Sequence, residues 1–147
     1  MPALKSLALA VALTVSLAGQ AWAEGRAHKV AIHVDENDPA VMNMALNNAK
    51  NVSSYYKSKG DTVTVELVAY GPGLTMLRAD TSPVKDRISA MSLEIDHLTF
   101  SACGNTIAGM KKKEGKDIPL MSEAKVVPSG VVRLIELQEQ GYAYVRP

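Results

Sequence analysis

Leu98-Thr99-Phe100-Ser101-Ala102-Cys103-Gly104-Asn105-Thr106 is the stretch whose reading decides the fold. Six residues from Leu98 to Cys103 read as a β-strand, and the chain then turns into a helix at Gly104 with no intervening loop. A strand that delivers its last side chain directly to a helix N-terminus is the joint of a βα unit in a parallel sheet. The helix runs on to about Lys112 and ends in a basic cluster, Lys111-Lys112-Lys113 and Lys116, whose cations suit the negative pole of the helix dipole.

The segments on either side repeat that alternation. Lys29-Val30-Ala31-Ile32-His33-Val34 is a short β-branched run suited to a buried strand. Asp38 is placed as an N-cap and Pro39 as the first helical residue. Val41, Ala45, Asn48, Val52 and Tyr55 recur at helical spacing, and Gly60 stands where that helix ends. Asn51-Val52-Ser53 matches a glycosylation sequon but falls in the middle of this helix. Thr62 to Ala69 alternates at its start, predicting a second strand with one face partly wet. A short helical turn is expected over Gly73–Arg78, then a helix capped by Ser82 with Pro83 at its first turn and Val84, Ile88, Met91 and Ile95 along one side. Ala124–Val127 is a fourth strand. Ser129 caps a last helix carrying Val131, Leu134, Ile135 and Gln138, Gly141 closes it, and Tyr142–Val145 is a fifth strand. About five strands with intervening helices predict a three-layer α/β/α fold with a mainly parallel sheet.

The first 23 residues stand apart. Lys5 supplies a positive start, Leu7 to Ala18 is nearly unbroken apolar sequence, and Gln20-Ala21-Trp22-Ala23 offers small residues at the spacing signal peptidase reads. The apolar run is shorter than the roughly 20 residues that span a bilayer, so residues 1–23 are expected to be a cleaved signal peptide. Residues 24–147 then form a single domain, exported to the periplasm if the source is a bacterium and free of the membrane after cleavage. The chain has 147 residues, 47% hydrophobic and 21% charged, which are globular values. Lys5 is the one charge in the leader, and residues 24–147 are formally neutral. That balance argues against a nucleic-acid partner.

One cysteine, Cys103, excludes an internal disulfide and a zinc site built from several thiolates. In open α/β sheets, ligands bind outside the carboxyl ends of the strands. Four loops fall on that edge: Asn37-Asp38, Gly71-Pro72-Gly73, Cys103-Gly104-Asn105 and Pro128-Ser129-Gly130. The free amides and dipole of the helix that starts at Gly104 lower a thiol pKa, and Gly104 lets another sulfur approach. Cys103 is therefore expected to be a reactive, accessible thiol, its anion stabilised by Gly104, Asn105 and Thr106, with Gly71, Gly73, Ser129 and Gly130 lining the cleft. His33, late in the first strand, can reach the same edge or serve as a core or rim residue. His97 lies at the far end of the third strand and His28 at the start of the fold. No pair of histidines has metal-ligand spacing, and the scattered methionines favour core packing over a copper site. Gly71-x-Gly73 lacks the rest of a phosphate-loop fingerprint, and neither a nucleophile elbow nor a pair of catalytic carboxylates is present.

On these residues the chain resembles the DsrE/DsrF-like sulfur-relay family. The likeness runs over residues 28–147 and is carried by Val41-Met42-Asn43, Val65-Glu66-Leu67-Val68-Ala69-Tyr70-Gly71, Phe100-Ser101-Ala102-Cys103-Gly104-Asn105-Thr106, and Val127-Pro128-Ser129-Gly130-Val131-Val132-Arg133-Leu134 with Gln138-Glu139-Gln140-Gly141-Tyr142. The last two segments resemble its exported single-domain branch. The resemblance implies assembly as a trimer or hexamer and a cysteine, Cys103 here, that carries sulfane sulfur as a persulfide without metal or organic cofactor. Two features depart from the family pattern. An exported protein does not meet the cytoplasmic partners of the relay, and the nearest lysine after Cys103, Lys111, is about two turns along the helix. The leading expectation is a periplasmic sulfur carrier or sulfurtransferase with an unknown donor and acceptor. The alternatives are an oligomeric small-ligand-binding protein whose cleft Cys103 lines, and Cu(I) capture by Cys103 with a methionine and His33. Protein purified from its native source is predicted to begin at Glu24; N-terminal sequencing that finds residues 1–23 attached would contradict the signal-peptide reading.

Overall fold

The computed structural model describes residues 25–147, so the expected signal peptide lies outside the described residues. Strand β1 (Ala27–Val34) leads into helix α1 (Pro39–Ser58), where Asp38 accepts a capping hydrogen bond from Ala40 N at 2.7 Å and Pro39 opens the first turn as expected. There follow β2 (Thr62–Ala69), a 3-10 helix (Gly71–Leu77), α2 (Lys85–Glu94), β3 (Leu98–Cys103), α3 (Gly104–Glu114), β4 (Ala124–Val127), α4 (Gly130–Glu139) and β5 (Ala143–Val145). Several boundaries shift by a residue or two from the sequence reading, the 3-10 helix falling on Gly71–Leu77 instead of Gly73–Arg78, and two helix ends have a clear local cause. Helix α3 continues to Glu114 because Gly115, in the left-handed conformation, is what stops it. Helix α2 starts later than expected: Ser82 donates to Met76 O at 2.6 Å and accepts from Val84 N at 3.3 Å, so it stabilises a turn ahead of the helix.

All five strands are parallel, in the order β4-β3-β2-β1-β5. From β1 to β4 the chain steps in one direction across the sheet, so right-handed crossovers put α1, α2 and α3 on one face. The step from β4 to β5 runs back across three strands and puts α4 on the other. The first face carries the main core, with Val30, Ile32, Val34, Val65, Leu67, Phe100 and Ala102 of the strands packed against Met42, Leu46, Leu74, Met76, Leu77 and Ile88. The α4 face holds a smaller core of Ala31, Val68, Leu134 and Leu137.

A buried ion pair supplements that small core. The partly wet face expected of β2 is found at Thr62 and Thr64, whereas Glu66 on the same face is 5% exposed. Its carboxylate accepts from Arg133 Nε and Nη2, both at 2.7 Å, and from Ser101 Oγ at 2.6 Å. The pair joins β2 to α4, and Ser101 ties in β3. Burial pushes the Glu66 carboxyl up, but hydrogen bonds from Arg133 and Ser101 and the Arg133 charge outweigh it and hold the group below its ordinary range. A carboxyl lowered in this way stabilises the fold above its unfolded value of about 4.3, and that stabilisation fades as pH falls through the folded value. Arg133→Met leaves the buried carboxylate unpaired. Because the Arg133 side chain is 28% exposed, the expected loss falls below that for a fully buried broken pair, to about 2–3 kcal/mol or roughly 10 °C in Tm. The deficit is predicted to be widest at neutral pH and to narrow on acidification. A melting temperature that does not move would show that α4 is held by its apolar contacts alone.

Candidate functional site

Cys103 is the last residue of β3 and occupies the N-cap position of α3. Its backbone is extended (φ −69°, ψ 115°), as an N-cap requires, and its sulfur accepts a hydrogen bond from Thr106 N at 3.5 Å. Alternation along β3 sends Phe100 and Ala102 to the main core and Ser101 and Cys103 to the α4 face. The sulfur therefore faces a second helix start. Gly130, the first residue of α4, packs so tightly here that a Cβ on it would lie 2.8 Å from Tyr70 Cδ1 and 3.2 Å from Cys103 Cβ. Only glycine fits this approach.

Two helix N-termini thus meet on one sulfur atom. Burial pushes the Cys103 thiol up, while hydrogen bonds from the Thr106 side chain and from the backbone N–H groups of Gly130, Thr106 and Asn105 outweigh it and leave the thiol below its ordinary range. Thr106 is itself oriented, because its hydroxyl oxygen accepts from Gly71 N at 2.9 Å. Gly71 belongs to the turn after β2, so three of the four predicted loops meet around Cys103, the Gly71 loop by way of Thr106. Asn105 N also donates to Pro128 O at 3.3 Å, which links α3 to the β4–α4 turn.

Other expected site residues have different roles. Gly104 contributes close packing rather than a hydrogen bond to sulfur: a Cβ there would lie 3.1 Å from Val127 O and 3.2 Å from Pro128 O. Gly73 faces β1, where a Cβ would lie 2.4 Å from Val34 O, so it seats the 3-10 helix against the sheet. Ser129 holds the N-cap position of α4, yet its side chain makes no capping bond. The expected accessibility of Cys103 is not met in the isolated chain: the residue is 4% exposed, lying in the angle between Gly130 and α3.

His33 is also 5% exposed, on the α4 face two strands from Cys103. Its Nδ1 is 2.7 Å from the Tyr144 hydroxyl, and its ring lies 4.5 Å from that of Tyr70. The methionines that a copper site would recruit are mostly elsewhere. Met42, Met76, Met91 and Met121 are buried in the main core, on the opposite face of the sheet from the sulfur. Among the described residues no group of three or more His, Cys, Asp or Glu could hold a metal ion, and no helix is long and apolar enough to cross a membrane. His97, with φ 60°, and His28, 3.0 Å from Asp61, are remote from Cys103. Sequence reading missed Glu66, Ser101 and Arg133, which hold α4 over the site, and Tyr70, which packs on Gly130. The one available signal was Glu66 standing alone in an otherwise apolar run, Val65 to Ala69.

Comparison with known proteins agrees with the fold and adds a family. A solved structure described as a protein of unknown function, MTH1491 from Methanobacterium thermoautotrophicum, is 30% identical with a TM-score of 0.68, over 82% of this chain and 99% of its own. No curated protein matches the chain. The model of the DsrE/DsrF-like family matches residues 5–147. With nearly its whole length covered by that model, the chain belongs to the DsrE/DsrF-like family.

Proposed function

We propose that this protein is a sulfur carrier that holds sulfane sulfur as a persulfide on Cys103. The observation that carries the reading is the seat of Cys103 at the start of α3, where Thr106 N–H donates to its sulfur and the start of α4 packs against it, an arrangement that holds the thiol pKa down. Membership of a family often linked to sulfur relay supports it. The Cys103 thiolate attacks the outer sulfur of a polysulfide or donor persulfide. A new bond forms between Sγ and that sulfur, and the donor leaves as a thiolate with the electron pair of the broken S–S bond. An acceptor thiolate then attacks the outer sulfur, and Sγ leaves in turn. The two steps are exchanges with no net oxidation, so the chain's own residues need only stabilise anionic sulfur. The signal-peptide reading places the transfer in the periplasm. A second copy of the chain is the proposed partner for the uncovered side of α4, where Val131, Val132 and Ile135 are each about half exposed.

A second reading has one observation in its favour. Cys103 is buried, as it would be if it had a packing role and the protein bound a small ligand without reacting with it. Anaerobic polysulfide treatment followed by intact-mass measurement separates the two. The carrier reading predicts additions in steps of about 32 Da, reversed by a reductant and absent from Cys103→Ser. An unchanged mass, with iodoacetamide reacting after unfolding alone, would establish Cys103 as a packing residue.

A further inference from the structure

The His33 side chain holds a buried nitrogen with nothing to bond to. Nδ1 meets the Tyr144 hydroxyl at 2.7 Å, whereas Nε2 has no hydrogen-bond partner and lies 3.9 Å from Asp35 Oδ2, beyond bonding distance. A buried polar atom left unpaired costs about 1–3 kcal/mol, and native folds retain few of them. Asp35 follows the last residue of β1, so Nε2 points to the carboxyl edge of the sheet, the edge on which Cys103 stands. The sheet register places both residues on one face. Val34, Ala69 and Ala102 are paired across β1, β2 and β3, and the next residue of each strand puts Asp35, Tyr70 and Cys103 in one row. His33 lies one row below, with its side chain on the same side as theirs. Tyr70 fills the interval, in contact with His33 on one flank and with Gly130, beside Cys103, on the other.

We propose that His33 Nε2 is the proton acceptor for the incoming thiol when Cys103 gives up its sulfur; this rests on the persulfide reading above. As the acceptor sulfur attacks the outer sulfur of the persulfide, its S–H proton passes to Nε2, the S–S bond to Sγ breaks, and the electron pair remains on Sγ as a thiolate. The imidazolium then returns its proton to water. The role requires the tautomer in which Nδ1–H donates to the Tyr144 hydroxyl, leaving the Nε2 lone pair free, so Tyr144 orients the base. The spacing suits the step. Two strand intervals separate β1 from β3 by about 9.6 Å, and the imidazole, whose Nε2 comes within 3.9 Å of Asp35 Oδ2, makes up the one-row offset between His33 and Cys103. A persulfide bond of about 2 Å, an S···S approach of about 3.5 Å and an S–H···N contact of similar length span nearly that interval. The acceptor would take the place of the Tyr70 ring.

The groups facing His33 are Tyr144 and Arg146 from β5 and the segment after it, Asp35 beyond β1, and Tyr70 beyond β2. Asp35 is itself engaged by Arg146 at 3.0 Å. Burial lowers the His33 pKa, Asp35 raises it and Arg146 lowers it again, with a net result below the ordinary value of 6.5. The base is therefore neutral and competent at pH 7, and it loses function as pH falls through its lowered value.

The experiment loads Cys103 with polysulfide, removes the excess, and follows sulfur release by intact mass to two acceptors. One is an alkyl thiol that is mostly protonated at pH 7; the other is an aryl thiol already ionised there. His33→Gln is expected to slow release to the alkyl thiol about a hundredfold while loading, and release to the aryl thiol, stay within about twofold of wild type. Tyr144→Phe, which keeps the imidazole, is expected to slow the alkyl reaction less and to spare the aryl one. Equal slowing with both acceptors, or none with either, overturns the proposal. If His33→Gln fails to fold, unchanged alkyl release from Tyr144→Phe overturns it instead. Failure of the wild-type protein to load refutes the carrier reading itself, and is seen before release is measured.

Discussion

Everything near Cys103 depends on two helix N-termini being held against one sulfur atom. Helix α3 is aligned by its covalent joint to β3. Helix α4 starts three residues after β4, the edge strand paired with β3, and must be laid across the sheet by packing. Gly130 permits the contact, since any side chain there would collide with Tyr70 and Cys103. The Glu66–Arg133 pair then fixes the helix one turn further along, with Ser101, two residues before Cys103 on the same strand, in the same network. Stability and site chemistry therefore share these residues: the ion pair that holds α4 over the small core also holds Gly130 against Cys103.

The site balances two opposed effects on the thiol. Taking Cys103 out of water disfavours the anion, and the hydrogen bonds from α3, α4 and the Thr106 hydroxyl favour it by more. A thiolate with a moderately lowered pKa remains a good nucleophile, whereas a strongly lowered one loses nucleophilicity. Burial moderates the lowering. It also restricts access, and the partly buried Tyr70, packed on Gly130 and tilted against His33, occupies the approach an acceptor needs.

Local features of this fold were legible in the sequence because short-range physics produces them. Asp38 and Pro39 announced α1, the strand run ending in Cys103 announced β3, and strands separated by helices pointed to a mainly parallel sheet, which is parallel throughout. Thr106, Gly71 and Gly130 were expected near Cys103 because topology sends their loops to one edge. What could not be read was the placement of α4. Glu66 and Arg133 lie far apart in the chain, and a lone glutamate in an alternating strand looks the same whether it faces water or a buried guanidinium. The meeting of Tyr144 with His33 depends on β5 returning to pair with β1, a crossover that no local pattern encodes. For the same reason Cys103 was expected to be exposed: the helix that covers it begins 27 residues later.

The central claim is that this fold holds Cys103 as a stabilised thiolate. The most direct test is a titration of the native protein followed by the ultraviolet absorbance of its thiolate, with Cys103→Ser as the blank. The account predicts a midpoint clearly below the free-cysteine value of about 8.5, returning to that value on unfolding. A native midpoint at or above about 8.5 would mean that burial outweighs the two helix N-termini, and would contradict it.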